Sequence, residues 1–509
     1  MAFLGKKDTI KRYTLVAIAF ACSLIVPTLI YSLKKDPIFN DAINKQPYKY
    51  PTMVKYSYKW PSIPSFAHSV ADSVEETDIY KDIDQKYCGQ DRCRFLLPIA
   101  ITEQESKAQL HFRQLAFLAG KIGRTIVLPN VHNSHLGACL PHLFTFYYDS
   151  SWLDANKKHF NYITMENFKA WLLERHSTGA IPSGQEIYMQ GSRKSRLLTK
   201  INNCFGDYFD FSNRPTVSYQ LQDHQNQRHV NITNVMINLF SDNARQHEYI
   251  NREPSSTSSL LGITKAPLHP PPVDVINLFY DRRYKFIKDQ DAQGPLPYNQ
   301  RWVDVADQIS KQLTPYMAIH WRMERLEPVS NLLPCAMNLV DQVQQLEVPN
   351  SEQKKHPNVF LLTDYPHLLN TTGAKPESNS FQVNELKREH HRAVEYLYQH
   401  LNISLTSVNN NKIPYDELPK DNWHILPINA SSSSDDGLLP ADRSVLGIVD
   451  KLVAMKAQWF FAGRPGVCAK SSSFTGRISN SRIQAFKHGD ENVILPVKTF
   501  DMKKLSTQC

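Results

Sequence analysis

Three short groups of residues in this 509-residue chain have types and spacings suited to chemistry. The first is His320-Trp321-Arg322-Met323-Glu324-Arg325, at the end of the apolar run YMAIHW (316–321). Read as a strand, the two-residue period places His320 and Arg322 on one face, aimed at the strand's carboxyl end. An arginine there can grip a phosphate through charge-assisted hydrogen bonds worth about 1.5–3 kcal/mol each. The plainer alternative is an ion pair of Arg322 or Arg325 with Glu324. The second group is Ser471-Ser472-Ser473-Phe474-Thr475, between a strand pattern and a helix pattern. Amides at a helix start bind anions, and small hydroxyl residues add donors without crowding; a simple helix cap is the alternative. The third is Asp450, one residue off the apolar stripe of its helix and so able to face a cleft, or else a solvated carboxylate.

These groups need elements to position them. FLLPIAI (95–101), a helix-length stretch from about 106 to 121 and RTIVLP (124–129) read as β–α–β, the opening of a parallel sheet. Residues 130–250 are aromatic and irregular, and 251–300, with SSTSS, PLHPPP and GPLP, have the composition of a linker. A second alternation follows: a strand at 316–321, a helix at 331–346, a strand NVFLLTD (358–364) ending in Asp364, and a helix at about 382–401. His390 lies on the apolar stripe of that last helix and reads as a packed histidine. Residues 406–440 read as a loop, followed by a helix bearing Val445, Ile448, Val449, Leu452 and Val453 on one face, then the strand WFFAG (459–463). The expected architecture is α/β: two Rossmann-like domains facing a cleft, 93–300 and 301–509, with ligands at the carboxyl ends of strands.

Tyr13 to Leu33 is free of charge, and at about 1.5 Å per residue it spans roughly one hydrocarbon core. Flanking charges put residues 1–12 in the cytosol, and a cleaved signal peptide would have a shorter apolar region. Residues 34–92 then read as a stem. The +9 net charge is dilute, because residues 1–36 hold +4 of it, and a nucleic-acid binder is disfavoured. Four sequons (Asn231, Asn370, Asn402, Asn429) and seven cysteines beyond Cys22 suit an oxidising lumen. Cys88 and Cys93 are close enough for a local disulfide; the remaining pairings stay open. The phosphate-binding GxxxxGK[ST], dinucleotide GxGxxG and nucleophile GxSxG motifs are all missing from the sequence.

His-x-Arg ending a strand, an acid about 130 residues later and S-S-F-T after a further strand together resemble the GDP-fucose protein O-fucosyltransferases. The segment 450–482 resembles that family's C-terminal block in order and spacing, and LAGKIGRTIVLP (118–129) resembles its first helix and strand. What the resemblance implies is a GT-B fold, an inverting transfer of fucose from GDP-fucose to a protein or glycan hydroxyl, and no metal or other cofactor. Arg322 would stabilise the departing diphosphate, Ser472, Ser473, Phe474 and Thr475 would cradle its β-phosphate, and His320 and Asp450 would contact the nucleoside. Asp364 lies where the family often has a Thr-Asp pair. The family's glycine-rich turn before the first helix is replaced here by Thr102-Glu103-Gln104-Glu105-Ser106-Lys107. Glu103 or Glu105 could act there as general base, or simply as a helix-terminal acid. The alternatives are a transferase using another nucleotide sugar, and a non-catalytic membrane-anchored binding module; Golgi or ER is the expected compartment.

Overall fold

The computed structural model describes residues 80–190, 201–212, 216–220, 237, 240, 273–281, 287–346, 356–365, 381, 385–408, 423–428, 442 and 444–503. The expected anchor (13–33), most of the expected stem, and Asn231, Asn370, Asn429 and Cys509 lie outside them. Among the described residues no helix is long and apolar enough to cross a membrane.

The first half runs α1 (Lys81–Cys88), β1 (Phe95–Ile101), α2 (Glu105–Lys121), β2 (Thr125–Val127), β3 (Asn130–His132), β4 (His135–Gly137), α3 (Ser151–Ala155), β5 (Tyr162–Ile163), α4 (Met165–Ser177), β6 (Gly184–Gln190), β7 (Val217–Gln220) and β8 (Val275–Tyr280). Its eight strands form one sheet in which β1 lies between β2 and β8, parallel to both, with β6 and β7 continuing beyond β8. β1 is buried along its whole length, as its unbroken apolar sequence requires. Pro98 has no N–H for a ladder, and the β1–β8 register shifts between Pro98 and Ala100 to accommodate it.

Two sequence expectations fail in this half. The 251–300 stretch is more than a linker, because Val275–Tyr280 is a fully buried strand between β1 and β6. Nor does the stem reach residue 92. Asp84 of α1 is buried, where it accepts bonds from Trp171 Nε1 (2.7 Å), Arg175 Nη1 (2.9 Å) and the Cys93 amide (2.9 Å). The Cys88–Cys93 disulfide closes that corner.

The second half runs α5 (Gln300–Leu313), β9 (Tyr316–Trp321), α6 (Leu332–Gln344), β10 (Asn358–Thr363), α7 (Arg388–His400), β11 (Ile403–Val408), β12 (Trp423–Ile428), α8 (Val445–Lys456), β13 (Trp459–Gly463), α9 (Ser473–Lys487) and β14 (Leu495–Phe500). All six strands are parallel, in the order β12-β11-β10-β9-β13-β14. The loop expected over 406–440 is therefore interrupted by β12, an edge strand, where Pro427 costs no essential ladder bond. Strand alternation divides the packing. Met317, Ile319 and Trp321 enter a core with α6 and α7, whereas Tyr316 and Ala318 enter a core with α5 and α8. That second core also takes Leu96, Phe112 and Tyr147 from the first half, and Val74–Cys509 forms one compact unit. Arg482 of α9, fully buried, donates to the carbonyls of Ala454, Ala457, Gln458, Leu495 and Pro496, tying α8 to the β13 and β14 entrances.

Candidate functional site

Order in the second sheet fixes where a site can form. From β9 the chain steps outward to β12, then returns to the other side of β9 as β13. Connections leaving β9 and β13 therefore diverge, opening a crevice at their carboxyl ends, the usual ligand position in open α/β sheets. His320 is the penultimate residue of β9 and Arg322 the first beyond it; Ser472–Thr475 begin α9 after β13. The fold brings these two sequence groups together.

The turn after β9 is fastened on both sides. Toward β10, Thr363 Oγ1 donates to the Trp321 carbonyl (2.9 Å), and the Asp364 carboxylate accepts from the amides of Met323 (2.7 Å) and Glu324 (3.0 Å). Toward β13, the Lys470 amide donates to the Arg322 carbonyl (3.0 Å) and Trp321 Nε1 to the Cys468 carbonyl (2.6 Å). Cys468 is bonded to Cys335 of α6. Asp364 thus holds the loop that presents Arg322. Burial pushes its carboxyl up to about 6 against the opposing pull of the two amides.

Arg322 is partly exposed and donates to Glu324 Oε1 (2.7 Å), the ion pair weighed as its plainer role; Lys470 Nζ donates to the same oxygen (2.6 Å). A guanidinium has five N–H donors, so this bond orients Arg322 and leaves others for a ligand. Lys470 is a second cation at the crevice that the sequence patterns do not single out. His320 faces α8 and α9. Its ring stacks on Phe474 at 5.1 Å, and Nδ1 lies 2.7 Å from Thr475 Oγ1. Burial, with Arg322 nearby, depresses the imidazole to about 3, so it is neutral at any physiological pH.

Ser472 caps α9, its hydroxyl accepting from the amides of Phe474 (3.2 Å) and Thr475 (3.4 Å). Ser473 is exposed at the first helical position. Arg322, Lys470, the α9 amides and the hydroxyls make a set that suits an anion. The approach to this turn is tightly spaced: at Gly463, which ends β13, a Cβ would sit 2.6 Å from that of Ala469. Asp450 lies on α8, half-buried, and accepts a hydrogen bond from Thr406 Oγ1 of β11. His390 is buried against Phe381, the packed role expected for it.

Glu105 requires a correction. Its buried carboxylate accepts from Lys451 Nζ (2.6 Å), Tyr298 OH (2.9 Å), Gln109 Nε2 (2.7 Å) and Ser106 Oγ (3.2 Å). Both oxygens are occupied, so it joins the two halves rather than standing free as a base. Burial alone would lower the Lys451 ammonium, yet the Glu105 charge and Tyr298 raise it above the ordinary value, which favours its charged form. Lys451 Nζ also lies 5.2 Å above the Phe474 ring, linking this pair to His320. One signal for it was present: Ile448, Lys451 and Met455 share a helix face, and a lysine on an apolar stripe needs a buried partner. Glu103 is half-buried beside Lys107 (3.4 Å), one residue beyond Thr102 at the exit of β1.

A two-sheet α/β protein with an anion-suited switch point is the class that fold and site define. No protein-family profile and no curated protein sequence matches the chain. Among solved structures it is similar to POFUT1 in complex with GDP-fucose, with 13% identity and a TM-score of 0.37 over 81% of this chain and 98% of that one. It is also similar to the NodZ α-1,6-fucosyltransferase co-crystallised with GDP, with 10% identity and a TM-score of 0.31 over 76% and 92%. The NodZ fucosyltransferase from Bradyrhizobium gives 11% identity and the same TM-score.

Proposed function

We propose that this chain is a glycosyltransferase that moves fucose from GDP-fucose to an acceptor hydroxyl, with inversion and without a required metal. The observation that carries the proposal is the meeting of Arg322 and the Ser472–Thr475 helix start at the β9/β13 switch point, joined by the Lys470–Arg322 backbone bond. The sequence block 450–482 supports it. The diphosphate lies between Arg322, Lys470 and the α9 amides, which stabilise the charge that grows on it as the sugar bond breaks. His320, neutral and held by Thr475, has one ring N–H, and Asp450 offers a carboxylate for the N–H edge of guanine. Glu103, at the exit of β1, is the base for the acceptor hydroxyl now that Glu105 is committed to Lys451. The described disulfides, Cys88–Cys93, Cys139–Cys204 and Cys335–Cys468, support a lumenal body in the Golgi or ER, anchored through residues 13–33.

Calorimetry on the full chain in detergent tests this, using GDP, GDP-fucose, GDP-mannose and UDP-sugars, with and without EDTA. Saturable, EDTA-insensitive binding of GDP and GDP-fucose is expected, weakened strongly in Arg322→Ala. A folded chain that binds no guanine nucleotide sinks the proposal. The occupied Glu105 favours one second reading, a non-catalytic binding module on the same fold. It predicts that GDP-fucose binds with no turnover to acceptor or water.

A further inference from the structure

A second cluster of functional groups lies across the junction of the two halves, apart from the donor crevice. The β3–β4 hairpin turns through Asn133 and Ser134 with φ of 48° and 63°, the positive pair that a two-residue hairpin turn requires. His132 ends β3. His142 is fixed beside it because its backbone exchanges both hydrogen bonds with Val131 (2.8 and 3.3 Å). Their ring centroids are 5.4 Å apart, and the His142 ring is stacked on Phe146 at 4.3 Å. Asp442, in the segment entering α8, reaches this hairpin from the second half. Its Oδ2 lies 3.6 Å from His132 Nδ1 and accepts the Tyr147 hydroxyl, while Oδ1 accepts the amides of Ser444 (2.8 Å) and Asn133 (3.3 Å). All three side chains are buried, and one donor atom from each lies within 4.8 Å of the others.

We propose that His132, His142 and Asp442 form a structural divalent-metal site, zinc in class, that ties the two halves of the protein together. Two borderline imidazoles and one hard carboxylate are a ligand set that zinc takes, whereas calcium and magnesium require six or more oxygens. Tetrahedral zinc with bonds of about 2.0–2.2 Å keeps its ligand atoms roughly 3.4 Å apart. The observed separations thus close by side-chain adjustments of about 1 Å or less. Tyr147 on Asp442, Phe146 on His142 and the backbone bonds of the hairpin hold the ligands in place, as outer partners do in metal sites. The three side chains leave the fourth tetrahedral position to a water molecule, and their burial at the junction of the two halves suits a metal that holds elements together. This metal takes no part in the transfer proposed above, and running the EDTA arm of the GDP titration well below the melting temperature of the chelated chain keeps the two tests distinct.

The test is performed on the full chain after dialysis against a strong chelator. Zn²⁺ is titrated in competition with a chromophoric indicator, and Co²⁺ is added separately to read coordination from its visible ligand-field bands. Expected are one Zn²⁺ per chain, tetrahedral Co²⁺ bands, a rise in melting temperature on metal addition, and affinity lowered by more than the roughly 100-fold that loss of an outer partner costs, in both His142→Ala and Asp442→Asn. Substoichiometric zinc on folded wild-type chain overturns the proposal. So does unchanged affinity in either variant, with circular dichroism reporting that it is folded; His132→Gln replaces any variant that does not fold.

Discussion

Arg322 and Asp364 show two kinds of dependence on one short turn. Arg322 provides charge and a planar fork of donors, so Arg322→Ala should cut transfer about 10³-fold, and Arg322→Lys should recover little because the fork is lost. Steady-state kinetics with GDP-fucose as varied donor decides this; a lysine variant near wild-type activity would reduce Arg322 to a point charge. Asp364 works through the backbone. Its protonated form is favoured in the folded chain, so its contribution to stability is complete below its usual value of 3.8 and is lost as pH rises through about 6. Wild type should therefore lose up to about 3 kcal/mol relative to Asp364→Asn between pH 3.5 and 7, as measured by denaturant unfolding. Parallel pH curves for the two proteins would refute this.

At the scale of elements, β9 and α9 were legible because their signals are local. A two-residue alternation ends in His-x-Arg, and a run of serines precedes a helical period. What brings the elements together was not legible, because it depends on pairs distant in sequence. Glu105 and Lys451 are separated by 346 residues, and the sequence suggested for Glu105 the role of a free acid. Val275–Tyr280 was obscured by the prolines around it, and β12 by its own Pro427. The Glu105–Lys451 pair, almost wholly buried, yields a direct expectation. Lys451→Met or Glu105→Gln alone leaves a buried group without its counterion and should cost about 3–5 kcal/mol, while the double variant should cost much less than the sum. Additive costs in a double-mutant cycle would show that the two groups act separately.

For the whole molecule, the covalent links matter more than the sequence patterns suggested. Cys335–Cys468 closes a 133-residue loop and joins α6 to the segment that leads into α9. Chain-entropy arguments put its contribution at about 2–5 kcal/mol. Cys335→Ala/Cys468→Ala should lower the melting temperature and also weaken GDP binding, because the Cys468 carbonyl holds Trp321 at the end of β9. Lower stability with donor affinity unchanged would separate the disulfide from the site. Glu105–Lys451 and Asp442 with the β3–β4 hairpin cross the junction as well, which is why two sheets behave as one compact body.

The narrow spacing at Gly463 acts as a ruler. Where β13 ends, the absence of a side chain lets Ala469 approach, and the path onward to Ser472 is set by that closeness. A single methyl group at position 463 would meet the Ala469 Cβ at 2.6 Å, and the segment leading to Ser472 would have to shift to make room for it. Displacements of about 1 Å in a reacting geometry cost on the order of 10²-fold in rate. The geometry of the proposed anion grip is therefore calibrated by an atom that is missing.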